Sequence, residues 1–477
     1  MIDNGPEASM ANQPAHNSQW LLYLLIAIIA LAPLPMGSNL PLPASLLALS
    51  VGLLLFVWLF REMWKPENGS PLSRSIELIK VPGLLFLVTL LWIFMQWLPL
   101  GLFSHPLWEA ASSVLEKDIP GRISINPAAT MNALMMLVTY GAVFWLTYLT
   151  TKGSKSAQIG RNAIVLIGAG YALLGYIIFF GGRDGVFEGV FSHHIEGFSS
   201  TFVNRNSYAT FAGLSLLCAA SLFTERLRPV LDLARPAKQK VALLIETLVM
   251  RSGWVTASVI LIFFSLFLTE SRAGIASTMI GLVVLITLQM KRGRGRWRQV
   301  MTAVSIGVVL GGIGLMLAGK GFVDRLEQDG LSLERGGGMR QTIFSTTVEA
   351  IRSAPWTGTG YGTYGDAIEA YRGNDSGIFH LWEKAHNTFL ENALELGLPA
   401  AGLLLLSVIW LVAICYRGVN ERKSGRSFPA IGVAASVLVG LHGMLDFSLQ
   451  IPAIALLYSF MLGLAVAQAR SPRGRRA

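Results

Sequence analysis

Apolar runs of about twenty residues, the length needed to cross a hydrocarbon core of about 30 Å, recur along this whole chain. They fall at roughly 20–36, 41–60, 81–100, 129–150, 162–181, 204–223, 253–268, 273–290, 300–319, 387–416, 428–446 and 451–469. A chain of 477 residues that is 53% hydrophobic and only 14% charged lacks the makeup of an ordinary soluble globule. The expectation is an all-α integral membrane protein with about twelve transmembrane helices. Residues 1–19 then form an N-terminal segment, 20–319 hold nine helices, 320–385 form a large loop, 386–469 hold three helices, and 470–477 are a basic tail.

The segments joining these runs alternate in charge. One set, from Arg61 and Lys65 through Lys291–Arg298 to Arg470 and Arg476, holds 26 of the 38 basic residues and only 9 of the 28 acidic ones. The positive-inside rule makes that set cytoplasmic, places both termini inside, and puts residues 101–128, 320–385 and the short turn near 270 on the outer face. A formal charge of +10 therefore needs no nucleic acid; the basic face suits anionic membrane lipids. No Lys or Arg precedes the first apolar run, so a cleaved signal peptide is not expected and the first helix is retained. Cys218 and Cys415 fall inside spans and read as small buried hydrophobes.

Residues 320–385 are too long for a simple connection and read as an outer lid. Within "GGGMRQTIFSTTVEAIRSAPW", Ile343, Phe344, Val348 and Ile351 recur at helical spacing, as in an amphipathic helix lying on the membrane surface. The run "GTGYGTYG" at 358–365 lacks the Lys-Ser/Thr of a phosphate cradle and reads as a flexible hinge. Trp356, Tyr361, Tyr364, Tyr371 and Trp382 are candidates for stacking on sugars or for ordinary interfacial aromatics. Asp324, Glu327 and Asp329 are too loosely spaced to name a metal site.

Ionisable groups at the ends of spans are costly and need a reason. Here they gather on the outer rim. Arg205 stands between Asn204 and Asn206, a fork with flanking amides that suits phosphate oxygens or, alternatively, a snorkelling arginine with capping asparagines. Arg272 lies in a turn of a few residues beside Glu270, its structural alternative partner. Thr388 and Glu391 have the spacing of a capping box, which starts the tenth helix near 388 with His386 and Asn387 just ahead of it. A helix N-terminus disfavours imidazolium, leaving a neutral His386 able to accept a proton. The other reading is an interfacial histidine satisfied by a carbonyl. His442 and Asp446 lie four apart on one face of the eleventh helix, either orienting this group or holding helices together.

At these residues the chain resembles the O-antigen ligase and O-antigen polymerase family of bacterial membrane proteins. The most specific match is "HNTFLENALELGLP", a His-Asn pair followed after nine residues by Gly397; "FVNRN", "SRAG" and "MRQTIFSTTVEAIRSAPWTGTGYGTYGDAI" support it. The resemblance implies an all-helical, GT-C-like membrane glycosyltransferase needing neither metal nor cofactor, sited in the bacterial inner membrane with its active site on the periplasmic face. It implies inverting transfer of a glycan from an undecaprenyl-diphosphate-linked donor to an acceptor hydroxyl, on lipid A core or another glycan. His386 would be the base, Arg205, Arg272 and Arg340 the diphosphate contacts, and Asn204, Asn206, Asn387, His442 and Asp446 the supporting residues. Ligase and polymerase differ in acceptor, which no residue identifies. A lipid-linked sugar transporter is the alternative from another class, and it would place charge near the bilayer midplane in repeated halves. This chain places charge at one rim and shows no such repeat.

Overall fold

The computed structural model describes residues 19–64, 71–181, 197–231, 235–290, 307, 336–371, 383–422 and 425–470; at 71–75, 231, 237 and 336–341 it describes the backbone alone. The ninth expected span, 300–319, lies outside the described residues apart from Gly307, and Asp324, Glu327, Asp329 and Trp382 lie wholly outside them.

The described chain is helical, with no strand. In hydrocarbon a backbone must satisfy its own polar groups, and a helix does so within one segment. The elements are α1 (Gln19–Leu31), α2 (Pro41–Met63), α3 (Pro71–Trp97), α4 (Pro106–Leu115), α5 (Pro127–Thr150), α6 (Ser154–Phe180) and α7 (Arg205–Leu231). They continue with α8 (Ala237–Glu246), α9 (Gly253–Leu268), α10 (Arg272–Gln289), α11 (Gly336–Ser353), α12 (Tyr364–Glu369), α13 (Thr388–Leu396), α14 (Leu398–Glu421), α15 (Ser427–Gly443) and α16 (Pro452–Ala467). Proline opens several of them, including α2, α4, α5 and α16, where its missing N–H would have had no intrahelical partner.

By length and composition, seven of the described helices are able to cross a membrane, or eight if α8 and α9, bent by 85° against each other, are one span. The shorter apolar helices α1, α15 and α16 hold 13, 17 and 16 residues. Sixteen residues rise only about 24 Å, short of a full crossing. The last two are also the most enclosed: nearly every residue of α16 is buried, as are Phe428 to Ala435 on α15. Packed against protein, they have no lipid thickness to match.

Small residues set the packing of the centre. A Cβ added to Gly274 on α10 would meet the Ala209 Cβ of α7 at 2.5 Å, and one on Gly213 of α7 would meet the Thr278 Oγ1 of α10 at 2.3 Å. Both contacts advance by four residues on both helices, so α7 and α10 run parallel and in step with backbones in close approach. Cys218 and Cys415 are buried and free, as their place in the spans implies.

Outside the bundle, Ile343, Ala350, Ile351, Tyr364, Ala367, Ile368, Ala385, Ala393 and Leu394 form a second small core. This corrects the reading of α11 as a surface-lying helix: its apolar face is buried against α12 and α13 instead. The single tenth helix expected over 387–416 is likewise two, because the chain breaks at Gly397 (φ 77°, ψ 157°). The first piece, α13, packs into this small core, whose other helices lie in the segment expected from sequence to be a lid, and the second, α14, packs in the bundle.

The glycine run is a tight seam and not a flexible hinge. Gly358, Gly360 and Gly362 all have positive φ, and their neighbours are bound on both sides. Thr359 N–H donates to the Leu394 carbonyl at 3.1 Å, Gly360 N–H to that of Glu395 at 3.0 Å, and Ile125 N–H to that of Thr359 at 3.0 Å. From α3, the buried Gln96 donates through Nε2 to the carbonyls of Thr357 (2.8 Å) and Glu395 (2.9 Å), and accepts from Tyr361 N–H (3.2 Å). Trp92 Nε1 donates to the Leu396 carbonyl at 2.9 Å. The expected lid is thus fastened to the end of α3 by backbone and side-chain bonds together.

Candidate active site at the rim

The rim is where three helices begin: α7 at Arg205, α10 at Arg272 and α13 at Thr388. Because α7 and α10 run in step, Arg205 stands opposite Glu270, and Arg272 follows within one turn. Ser271 caps α10 by accepting from Gly274 N–H at 3.2 Å, leaving Arg272 exposed at its first position. Glu270, in left-handed conformation (φ 54°), turns its carboxylate toward Arg205, with Nη1 to Oε2 at 3.7 Å. Neither group is fully buried, so this pair is worth little to stability; it orients the guanidinium.

The flanking amides are engaged within the protein. Asn204 Oδ1 accepts from Ser207 N–H at 2.8 Å, the cap of α7, while Asn206 Nδ2 donates to Asp446 Oδ2 at 2.5 Å. Asp446 also accepts from Phe447 N–H through Oδ1 at 2.7 Å. The expected His442–Asp446 face does not exist, since α15 ends at Gly443 and Asp446 lies in the turn beyond it. His442 is buried and its Nδ1 lies 2.6 Å from Thr210 Oγ1 of α7 and 3.3 Å from Ser448 Oγ. These contacts join α15 to α7.

His386 occupies the junction between lid and bundle. Its ring packs edge-on against Phe447, centroids 5.0 Å apart at 71°, and its backbone is left-handed (φ 50°). The residues on either side enforce that reversal. Asn387, not Thr388, caps α13: its Oδ1 accepts from Phe389 and Leu390 N–H at 3.0 and 3.1 Å. An asparagine carbonyl that takes two orphan donors displaces the threonine hydroxyl, which donates instead to the Asp446 carbonyl at 3.3 Å. Asn387 Nδ2 reaches the Met444 carbonyl at 3.1 Å. Glu391 reaches back further than a capping box would, accepting from Ala385 N–H at 3.0 Å while Lys384 Nζ lies 3.4 Å from its other oxygen.

The structure therefore links Arg205, Asn206, Glu270, Asp446, Phe447, His386 and Asn387 at one rim, with Arg272 two residues beyond Glu270 and His442 buried beneath them against Thr210. Arg340 lies on α11, but its side chain is outside the described residues. Gln96, Lys384 and Glu395 were not read from sequence as parts of this arrangement. Gln96 had a signal, a lone amide at the end of an apolar run; Glu395 had the four-residue spacing from Glu391.

Glu395 is buried one turn beyond Glu391 and accepts from Tyr364 N–H at 2.9 Å. Burial, reinforced by the charge of Glu391 and opposed by Lys384, pushes its carboxyl up to about 8. The folded lid thus binds this proton more tightly than the unfolded chain does. Its contribution to lid stability is complete below about 4.5 and is lost as pH rises through about 8. Lid-opening free energy, read by hydrogen exchange at residues 359–364, should fall with pH by up to about 1.4 kcal/mol per unit in that window. Glu395→Gln, which keeps the acceptor for Tyr364, should flatten the profile; an unchanged slope would assign the titration to another group.

Residues 257–405, from α9 into α14, match the family model described as O-antigen ligase. The match supports an O-antigen ligase or polymerase family. It includes Arg272, Arg340, His386 and Asn387, whereas Arg205, Asn204, Asn206, His442 and Asp446 lie outside the O-antigen ligase match and join its residues through the contacts above. No curated protein matches the chain.

Proposed function

We propose that the chain transfers a glycan from an undecaprenyl-diphosphate-linked donor to an acceptor hydroxyl, with inversion at the anomeric carbon and without a metal, as an O-antigen ligase. The observation that carries this reading is the convergence of three helix N-termini, bearing Arg205, Arg272 and the His386-Asn387 pair, on one rim. Helix N-termini and guanidiniums both favour an anion there. As the acceptor oxygen attacks the sugar, its proton passes to His386 and the bond to the diphosphate breaks. Arg205 and Arg272 stabilise the departing diphosphate, and Arg340 adds a contact from the lid. Asp446 holds Asn206, Asn387 holds the turn that carries His386, and Asn204 and His442 keep α7 in place.

In this reading the rim faces the periplasm from the inner membrane, which the charge alternation supports, and the fold is of the GT-C-like type that the resemblance implies, for which the all-helical architecture is support. Lipid A core is the acceptor in this reading. An O-antigen or exopolysaccharide polymerase would use the same groups on another glycan.

Glycans from a strain lacking the gene, resolved by gel and mass analysis, test the assignment. Long polymer stranded on undecaprenyl diphosphate beside bare lipid A core is the expected result. Single repeats with no ladder would make the protein a polymerase, and unaltered glycans would remove it from this chemistry. Arg205→Lys keeps the charge but loses the planar fork, so transfer should fall by about tenfold or more. A fully active lysine variant would reduce Arg205 to a point charge at the interface.

A further inference from the structure

At the end of the bundle opposite the candidate site, α8 and its π-helical continuation Thr247–Arg251 turn 85° away from α9. Since α9 runs toward the rim, a segment at right angles to it lies along the membrane plane. One side of this elbow packs on the protein: Thr247 is buried, and the Leu248 carbonyl accepts from Thr256 Oγ1 of α9 at 2.9 Å. Val241, Ile245 and Val249, four residues apart, stand 53%, 58% and 64% exposed on another face. That apolar line continues into exposed residues of α9, Trp254, Ile260 and Phe264, so it sits at the level where a lipid-facing span meets headgroups.

The charges around the elbow are mainly basic. Lys238 is exposed and Lys240 half-buried, with Arg235 just before them and the exposed Arg226 and Arg228 at the end of α7. Glu246 is matched by Arg251, whose Nε and Nη2 donate to it at 3.1 and 2.8 Å. An apolar strip in the membrane plane beside a cationic collar is the pattern of an interfacial helix that binds anionic lipid. We infer that residues 237–251 seat in the leaflet opposite the candidate site and bind anionic lipid headgroups there. This role stands independently of the transfer reaction.

The test uses the full chain in nanodiscs of phosphatidylglycerol and phosphatidylcholine, or of phosphatidylcholine alone. With Cys218 and Cys415 replaced by alanine, Ile245→Cys carries an environment-sensitive fluorophore. Quenching by lipids brominated near the headgroup should exceed quenching by aqueous iodide. Native mass spectrometry of the otherwise wild-type protein should show bound phosphatidylglycerol falling by about twofold or more in Lys238→Glu/Lys240→Glu. Dominant iodide quenching would overturn the seating and leave the face to a soluble partner. Lipid quenching with undiminished phosphatidylglycerol in the double variant would overturn the anionic preference. If the cysteine-free protein does not fold, hydrogen exchange of the wild type decides the matter: amides 238–251 should be better protected in the phosphatidylglycerol discs, and equal protection overturns the proposal.

Discussion

Replacing His386 with alanine should reduce glycan transfer by about 10²–10⁴-fold, the range for loss of a positioned proton acceptor, while membrane insertion and donor binding survive. The side chain stands half-buried against Phe447 at the rim, so its removal opens no large cavity in the bundle core. Its backbone is left-handed (φ 50°), and alanine there loses some stability for a reason unrelated to chemistry. His386→Asn answers this, because asparagine tolerates that conformation but is no base at neutral pH. Both variants should be inactive when assayed in membranes with lipid-linked donor, with products read on gels. Near wild-type transfer by either would take the proton-accepting role away from His386.

The second large effect is expected at two facing glycines, Gly358 and Gly397. A Cβ on Gly358 would lie 2.3 Å from the Glu395 carbonyl oxygen and 2.5 Å from Gly397 N; one on Gly397 would lie 2.5 Å from the Trp356 carbonyl oxygen. The obstructing atoms are backbone, which cannot swing away, and both residues have positive φ (68° and 77°). The conformational cost alone is about 1–3 kcal/mol for each alanine, before the clash. Gly358→Ala or Gly397→Ala should therefore unseat the lid and sharply reduce transfer while the spans stay folded. Limited proteolysis between residues 354 and 371 should rise several-fold. A variant with wild-type protease resistance would show that the seam accommodates a methyl group.

The candidate rim was legible because lipid makes ionisable groups conspicuous: Arg205, Arg272 and His386 stood out against apolar runs. Their connections were not. Which hydroxyl, amide or carboxylate serves as a cap is a local competition, and Asn387 took from Thr388 a role that spacing had assigned to the latter. Helix length misled for a related reason. The apolar run at 387–416 is continuous in composition, but the close approach of Gly397 to residues 356–358 ends one helix and begins another. Alternation of charge gave an expected sidedness for the runs, whereas the small core built from Ile343, Ile351, Tyr364 and Leu394 joins residues up to about fifty positions apart, and no local spacing signals it.

The break at Gly397 places the candidate residues of the rim on different elements. Arg205 and Arg272 ride on helices locked together through Ala209, Gly213, Gly274 and Thr278, whereas His386 belongs to the turn before α13, held to the bundle by Asn387 and Thr388 at the α15–α16 turn. In the proposed reaction, grip on the donor and activation of the acceptor would therefore rest on different elements: the arginines on two spanning helices, and the histidine on a turn that Asn387 and Thr388 fasten to those helices' neighbours.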